Sequence, residues 1–529
     1  MRRIRLWIAF LGLVLACSTF TPFSSPVPAT ATPTRTPRTL VGPGTTLTAA
    51  PEPTAVIRLA TATLTPRPSV SPAASPTPPP SLPPATPAPP TPSLAPATAI
   101  SPLAVGTAPR AYETTLILPT YGYEAGLVGT APEDPIYPYP RLDPSRVTGP
   151  IPRSYRAVVL ENDYVQIVVL PDLGGRLYRW IDKATGRHLL YENPVVKPTQ
   201  WGYRGWWLAA GGIEWAFPVE EHGLNEWRPW PYSISVTAST ASVSVSDTES
   251  RTGMQVGVTM TLDAAHSYIT LQPWAKNPTE TAHPYQLWLN AMLALHGNSM
   301  AGATQVILPA DQVIVHSTGD GSLPGAWEGM TWPVHNGRDM SWLSNWSAYL
   351  GFFAPSVRDG FVGVYDYELD QGIVRIFAPG WPAGTKVFGP ASLPPSLWTD
   401  DGSTYLELWS GATRTFADYA VLEPGAGVGW SEHWYPVAGL GGLGYANQAA
   451  ALQLTVTGES VDVGVAVTSA TAGWVTLWAG GIEVMEWEAN LLPGQAFRAR
   501  WTRLADATGP FGARYETAAG VMAELSGIP

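Results

Sequence analysis

The chain has 529 residues, of which 13% are charged, and a formal net charge of -11. It carries no basic run able to neutralise phosphates, which disfavours a nucleic-acid partner. With one cysteine in the whole sequence, the fold cannot depend on disulfides and needs a large hydrophobic core.

The first residues have the pattern of a bacterial lipoprotein signal peptide. Three arginines precede an apolar run that ends in the lipobox Val14-Leu15-Ala16-Cys17. We therefore predict a signal peptide over residues 1–17, lipidation of Cys17, and an exported protein anchored in the membrane at the cell surface. The alternative is an ordinary signal peptide with a chance cysteine.

Residues 18–109 are dominated by Pro, Thr, Ala and Ser, with few large apolar side chains. Such a segment cannot bury enough apolar surface to fold, so we predict a disordered stalk that is stiffened by its prolines. Its expected role is to hold the folded part away from the membrane.

Beyond the stalk, short alternating segments separated by turn residues continue to the C-terminus without a convincing helical period. They predict an all-β protein. Residues 110–438 are long enough for a large β-sandwich, and a Gly-rich link at 439–444 precedes a smaller unit at 445–529. The alternation in that unit predicts a small immunoglobulin-like β-sandwich that supports packing or, alternatively, adds a sugar-binding surface.

The segment 155–222 holds the most informative motifs. A strand pattern over Val165–Leu170 ends at Pro171 and turns through Gly174 and Gly175 into a second strand. The motifs LEN-Y, LP-LGGR and GGIEW-FP resemble an uncharacterised bacterial family within the galactose-mutarotase-like group. That resemblance implies a β-super-sandwich that holds a carbohydrate, here a polysaccharide or oligosaccharide, in a shallow cup.

Glu214 is the first candidate catalytic residue. If 211–217 is one strand, the two-residue period places Glu214 between the small residues Gly212 and Ala216, with space above the carboxylate for a sugar hydroxyl. Alternatively, Glu214 forms an ion pair with Arg176 or Arg204. The neighbouring candidates for substrate binding are Arg204, Trp206, Trp215 and His222.

Glu407 is the second candidate catalytic residue, and it shares a strand face with Tyr405 and Trp409. These two residues, with Trp288 and Asn290, are the further candidates for substrate binding. The mutarotase resemblance implies a catalytic base at this position, because the strand is followed by Leu422-Glu423-Pro424-Gly425. The same resemblance implies an Asn-His pair in the strand containing Trp288 and Asn290. Ala291 follows that asparagine, so we propose His296 or His222 as the replacement acid.

The sequence also bears on metals, cofactors and a possible lid. Glu220 and His222 converge on one face without an evident third ligand, so we predict neither a metal nor a cofactor. The Trp-rich segment 319–346 is either a lid or a packed connection.

Three functions remain open. The first is a surface lipoprotein that binds glycans in the cup. The second is a carbohydrate-active enzyme, specifically a glycoside hydrolase with a Glu214/Glu407 pair, and the third is a structural envelope protein.

Overall fold

A computed structural model describes residues 107–504 and 507–529. The signal peptide, Cys17 and most of the stalk lie outside these ranges. Within them, no helix is long and apolar enough to cross a bilayer.

The described residues form an all-β protein, as predicted from the sequence. The first strands are β1 (Arg110–Gly122), β2 (Leu127–Val128), β3 (Arg141–Leu142), β4 (Thr148–Glu161), β5 (Val165–Leu170), β6 (Arg176–Asp182), β7 (Arg187–His188), β8 (Glu192–Thr199), β9 (Trp207–Gly211) and β10 (Ile213–Ala216). They are followed by β11 (Tyr232–Val236), β12 (Thr240–Thr248), β13 (Gln255–Asp263), β14 (Ile269–Lys276), β15 (His283–Tyr285), β16 (Trp288–Leu293), β17 (Thr304–Ile307), β18 (Gln312–Thr318), β19 (Gly329–Thr331), β20 (Val334–His335), β21 (Arg338–Asp339) and β22 (Leu350–Phe353).

The later strands are β23 (Phe361–Asp366), β24 (Gln371–Phe377), β25 (Gly384–Gly389), β26 (Leu406–Gly411), β27 (Ala420–Leu422), β28 (Gly427–Gly429), β29 (Glu432–Ala438), β30 (Tyr445–Ala446), β31 (Ala450–Val456), β32 (Ser460–Val467), β33 (Thr471–Ala479), β34 (Ile482–Leu491), β35 (Phe497–Thr502), β36 (Phe511–Thr517) and β37 (Gly520–Ile528). Short 3-10 helices occur at Glu124–Gly126, Pro144–Arg146, Pro171–Leu173, Leu343–Asn345 and Pro395–Leu397.

Two large sheets build the main sandwich. The first has the order β19-β18-β22-β25-β26-β16-β10-β6-β5-β4-β1-β8-β9, with β7 attached to β6. The second has the order β11-β12-β13-β14-β29-β24-β23-β17, with β28 attached to β14. One buried apolar cluster contains residues of both sheets, so the sheets pack face to face.

The central strands of the first sheet are buried on both faces. Leu289 of β16 and Leu408 of β26 belong to the core between the sheets. Because side chains alternate along a strand, Asn290 and Glu407 lie on the opposite face. This second face of the sheet carries the polar residues described below.

Residues 445–529 form two four-stranded antiparallel sheets, with the orders β30-β31-β32-β35 and β34-β33-β36-β37. Leu452 and Val463 of one sheet and Val475 and Tyr515 of the other share a buried core. This arrangement is a small sandwich.

The assumption that residues 211–217 form one strand was wrong. The segment 211–217 is not a continuous strand, because β9 ends at Gly211 and β10 begins at Ile213. Gly211 and Gly212 have φ values of 81° and 77°, and a Cβ on either would lie within 2.5 Å of a backbone oxygen. The chain turns here, which lets β9 pair with β8 while β10 joins β6 and β16.

The segment 319–346 combines buried residues with exposed ones, and residues 325–329 are all exposed. It contains β19, β20 and β21, and β19 pairs with β18 at the edge of the first sheet. Trp332 and Trp346 are buried, whereas Trp327 is 42% exposed.

Candidate functional site

Strand register brings the polar residues into one row on the outer face of the first sheet. Glu214 of β10 lies opposite Asn290 of β16, which lies opposite Trp409 of β26, which lies opposite Lys386 of β25. Glu407 is placed two residues along β26 from Trp409, on the same face. We call this face, with the loops around it, the cup.

His222 reaches the cup from the turn that follows β10. Glu221 has a φ of 56° and Gly223 a φ of 68°, so the backbone reverses at these residues. The Leu224 amide donates to the Phe217 carbonyl at 3.1 Å, which closes the turn. The reversal returns His222 to Glu214, and its Nδ1 lies 2.6 Å from Glu214 Oε1.

Glu214 is 1% exposed and is held by several donors. Trp207 Nε1 donates to Oε2 at 2.8 Å, and Arg176 Nη2 lies 3.3 Å from the same oxygen. Asn290 Nδ2 donates to Oε1 at 3.2 Å. Burial alone would raise the pKa of Glu214, but the charge and hydrogen bond of His222, together with Arg176 and Trp207, hold this pKa below its usual range.

The pKa of His222 is shifted in the opposite direction to that of Glu214. Burial would lower the pKa of its imidazole, but the charge of Glu214 and the hydrogen bond to it, with further contributions from Glu407 and Glu221, raise this pKa above its usual value. Its ring stacks on Trp207 with centroids 3.9 Å apart. The contact with Glu214 and the stack on Trp207 therefore orient the ring, the raised pKa favours its protonated form, and Nε2 is the ring nitrogen that does not contact Glu214.

Asn290 connects the two carboxylates. Its Nδ2 donates to Glu214 at 3.2 Å and lies 3.4 Å from Glu407 Oε1. Asn290 Oδ1 is buried and has no hydrogen-bond partner among the described residues. Because a buried unpaired carbonyl oxygen is costly, this atom is available to accept a hydrogen bond from a ligand hydroxyl.

Glu407 accepts from Trp409 Nε1 at 2.8 Å, and Lys386 Nζ lies 3.7 Å from its Oε2. The Lys386 ammonium lies 4.4 Å from the centroid of the Trp409 ring and 5.1 Å from that of Phe416. Burial lowers the pKa of Lys386, and Glu407 and Glu221 oppose that effect. Glu407 therefore has fewer hydrogen-bond donors around it than Glu214 and can still accept a hydrogen bond or a proton from a ligand.

Aromatic and neutral polar side chains extend the cup. Trp409 and Phe416 are 5.5 Å apart, and Phe416 is 5.5 Å from the His316 ring. Burial, followed by the charge of Lys386, lowers the pKa of His316 well below its usual value. Tyr405 packs in a buried cluster with Trp207.

Six of the residues selected from the sequence meet in this cup. They are Glu214, His222, Asn290, Tyr405, Glu407 and Trp409. The two explanations for Glu214 both apply, because it contacts Arg176 as well as site residues.

The other selected residues lie in different surroundings. Arg204 forms a buried ion pair with Glu226, and its guanidinium stacks on Trp206 at 3.9 Å. Trp215 is part of the core between the two large sheets, because it falls on the inner face of β10.

Trp288 and His296 are also engaged elsewhere. Trp288 is fully buried and packs on Phe353 and Phe416, so it backs the cup wall and offers no stacking surface. His296 Nδ1 lies 3.3 Å from Asp366 Oδ2. His296 is thus engaged by Asp366, whereas His222 is the histidine that contacts Glu214.

Trp207, Lys386 and His316 were missed by sequence reasoning. Lys386 is the one charged residue in the strand β25, and this isolated charge was the available sign. Trp207 was one of many tryptophans, and His316 lies far from the motifs in sequence. No group of three or more His, Cys, Asp or Glu side chains suited to a metal ion occurs among residues 107–504 and 507–529.

Comparison with known structures gave several similarities. A TPR-domain containing protein from Parabacteroides distasonis is 27% identical, with a TM-score of 0.54, over 63% of this chain and 56% of that chain. This chain therefore spans little more than half the length of that protein. A galactose mutarotase-like protein from Clostridium acetobutylicum is 12% identical over 54% of this chain and 96% of that one, with a TM-score of 0.40.

A putative aldose 1-epimerase from Klebsiella pneumoniae is also 12% identical, over 54% of this chain and 80% of that one, with a TM-score of 0.38. Among family models, residues 445–509 match the one described as YphG-like protein, second domain. Residues 132–437 match the model described as a domain of unknown function, DUF5107. Because that match spans more than half of the chain, the protein belongs to the DUF5107 family.

Proposed function

We propose that the cup binds a carbohydrate and performs acid–base chemistry at its anomeric carbon. The observation that carries this proposal is the buried Glu214–His222 pair, in which a 2.6 Å contact orients the imidazolium. A structural protein has no evident need for a buried His–Glu pair beside an unpaired asparagine oxygen. The family resemblance noted from the sequence supports a sugar as the ligand.

The residues divide the chemistry as follows. His222 Nε2 donates a proton to the oxygen that leaves the anomeric carbon, and Glu407 accepts a proton from the anomeric hydroxyl or from water. The C–O bond breaks as its oxygen is protonated. Glu214 is a positioning residue, because its oxygens are already occupied by Trp207, Asn290, Arg176 and His222.

This assignment replaces the Glu214/Glu407 pair of the glycosidase hypothesis with His222 and Glu407. A Glu214/Glu407 pair would require one carboxyl to carry a proton or attack the sugar. The pKa of Glu214 is lowered by its charged and hydrogen-bonding neighbours despite its burial. Because both oxygens of Glu214 are also occupied by neighbouring donors, we assign the acid to His222, and Glu407 keeps the role inferred from the sequence.

The second candidate is a glycan receptor without turnover, which the aromatic composition favours, with 23 tryptophans in the chain. In either case the lipobox ending at Cys17 supports display at the cell surface, where extracellular polysaccharides would be the ligands. We propose this location from the sequence alone.

The test uses the full chain with a panel of plant and microbial polysaccharides and their component monosaccharides. Released reducing ends and the rate of anomeric interconversion are both measured. We expect His222→Gln and Glu407→Gln each to lower kcat/KM by about 100-fold or more, since a general acid or base contributes that much. His296→Gln is the matched control and should retain activity.

Binding without conversion would contradict catalysis. If the parent and both variants bind the same glycan equally and none converts it, the cup is a receptor. If the parent binds no sugar, the carbohydrate proposal fails altogether.

A further inference from the structure

Trp327 is an exposed aromatic residue that the structure holds rigidly at the rim of the cup. It is 42% exposed and has a φ of 70°, a conformation that is uncommon for a bulky residue. Its amide donates to the Val315 carbonyl at 2.6 Å, and the Val315 amide donates to the Glu328 carbonyl at 2.9 Å. Strand β18 therefore fixes the backbone on both sides of the indole.

The indole presents one face outward. Its other face stacks on Phe353, with centroids 5.8 Å apart and an interplanar angle of 15°. Phe353 in turn contacts Phe416 at 5.1 Å in the cup wall. The stacking sets the ring orientation before any ligand arrives, so little entropy is lost on binding.

Polar groups lie between Trp327 and the acid–base centre. The His316 ring is 6.0 Å from Trp327, and His316 Nε2 is 4.0 Å from Glu221 Oε1. Glu221 directly precedes His222 in the chain. The cup thus continues from His222 through Glu221 and His316 to Trp327.

An exposed indole face with polar side chains beside it suits a sugar. A sugar ring has an apolar C–H face that suits an indole, and hydroxyls on its edge that both donate and accept hydrogen bonds. His316 Nδ1 lies 3.1 Å from Ser317 Oγ, so Nε2 is the ring nitrogen left for a sugar hydroxyl, and the carboxylate of Glu221 accepts. Burial, followed by the charge of Lys386, lowers the pKa of His316, which favours its neutral form.

We infer that Trp327, His316 and Glu221 form a second sugar subsite, so that the ligand is an oligosaccharide or polysaccharide and not a free monosaccharide. This inference rests on the proposed carbohydrate function. The ring next to the one at His222 stacks on Trp327, and its hydroxyls contact His316 and Glu221.

The experiment measures how affinity depends on chain length. Gluco-, galacto-, manno-, xylo- and arabino-oligosaccharides of one to four residues are titrated into the full-length protein by calorimetry. In the series that binds, we expect the disaccharide or trisaccharide to bind about tenfold more tightly than the monosaccharide. Trp327→Ala should abolish that gain and leave monosaccharide affinity unchanged, and Trp327→Phe should restore part of it.

Trp474→Ala is the matched control, since Trp474 is 40% exposed on β33 in the C-terminal sandwich. It should behave as the parent does. If Trp327→Ala keeps the full gain with chain length, the subsite is refuted while the carbohydrate proposal stands. If Trp474→Ala alone removes the gain, the second subsite lies on the C-terminal sandwich and the inference is wrong. A parent that binds no sugar refutes both.

Discussion

Glu214 keeps a negative charge where almost no solvent reaches, and its neighbours replace the lost water. An indole, an amide, an imidazolium and a guanidinium surround its two oxygens. Burying a carboxylate is expensive unless it is paired and hydrogen-bonded, so this set of contacts offsets the cost. The left-handed backbone at Glu221 is tolerated because the turn it makes supplies one of those contacts.

The pair makes a pH-dependent contribution to stability. The folded-state pKa of His222 lies above 6.5, so the stabilisation linked to its protonation is fully present below about pH 6.5 and is lost as pH rises through the folded-state value. The folded-state pKa of Glu214 lies below 4.5, so its share is present above about pH 4.5 and is lost as pH falls through the folded-state value.

We therefore expect Glu214→Gln to lower the melting temperature most between about pH 5 and 6.5. Loss of the carboxylate should destabilise the fold by on the order of 3 kcal/mol there, because a buried cation loses its partner. The difference from the parent should narrow as the pH rises through the folded-state pKa of His222 in the parent. Melting temperatures measured across pH 5–9 give the comparison.

The exposed Glu423 offers a control, and Glu423→Gln should not lower the melting temperature selectively between about pH 5 and 6.5. A difference between parent and Glu214→Gln that stays constant from pH 5 to 9 would show that the charge of His222 is not coupled to Glu214.

At this scale the sequence could identify residue types but not their partners. Glu214 and Glu407 were found because two-residue alternation shows which side chains share a strand face. Lys386 and Trp207 were missed, because the neighbours of a strand are set by the order of strands in the sheet. That order brings β10, β16, β26 and β25 together although their sequence separations are large.

At the scale of elements, glycines in β25 and β26 make room for Trp288. A Cβ on Gly411 would lie 2.2 Å from Trp288 Cδ2, and one on Gly384 would lie 2.4 Å from Trp288 Cη2. The indole of β16 therefore lies directly over the neighbouring strand backbones. In that position it supports Phe416, whose ring is 5.0 Å away, and through it the cup wall.

We expect Gly411→Ala to destabilise the protein by about 1–3 kcal/mol, because the added methyl group must displace a packed indole. Gly329→Ala is the control, since a Cβ at Gly329 meets nothing within 4 Å. Chemical denaturation of both variants provides the measurement. Equal stability of Gly411→Ala and the parent would mean that Trp288 moves aside without cost.

Most strands were predictable because apolar alternation and turn residues mark them. The strand prediction over Val165–Leu170, for example, coincides with β5. Prediction failed at Gly211 and Gly212, where the sequence pattern continues but the backbone turns. Alternation shows which face of a strand is buried. It does not show where one strand ends and the next begins to pair with different strands of the sheet.

At the scale of the whole molecule, the main sandwich and the C-terminal sandwich share a buried cluster. Phe361, Tyr365 and Tyr435 of the former pack with Leu443 and Ala451 near the start of the latter. Backbone and side-chain hydrogen bonds accompany this contact. The Ser267 amide donates to the Thr468 carbonyl at 2.8 Å, and Tyr435 Oη donates to the Asn447 carbonyl at 2.8 Å.

This shared cluster determines what deletion of residues 445–529 should do. The deletion would expose Phe361, Tyr365 and Tyr435, which are at most 1% exposed in the full chain. We expect the shortened protein to aggregate or to melt about 5 °C or more below the full chain, because these aromatic side chains lose their apolar partners. Calorimetry of the full chain should show one transition for both sandwiches.

A milder change separates this expectation from damage caused by truncation. Tyr435→Phe removes the hydroxyl that donates to Asn447 and Ala450 and keeps the ring, so it should cost about 1 kcal/mol. Arg498→Ala tests the exposed ion pair with Asp370 and should cost less, since exposed pairs contribute little. If the shortened protein is soluble and melts as the full chain does, the small sandwich is an independent appendage. The packing role expected from its sequence would then be wrong, and the sugar-binding alternative for it would become the stronger explanation.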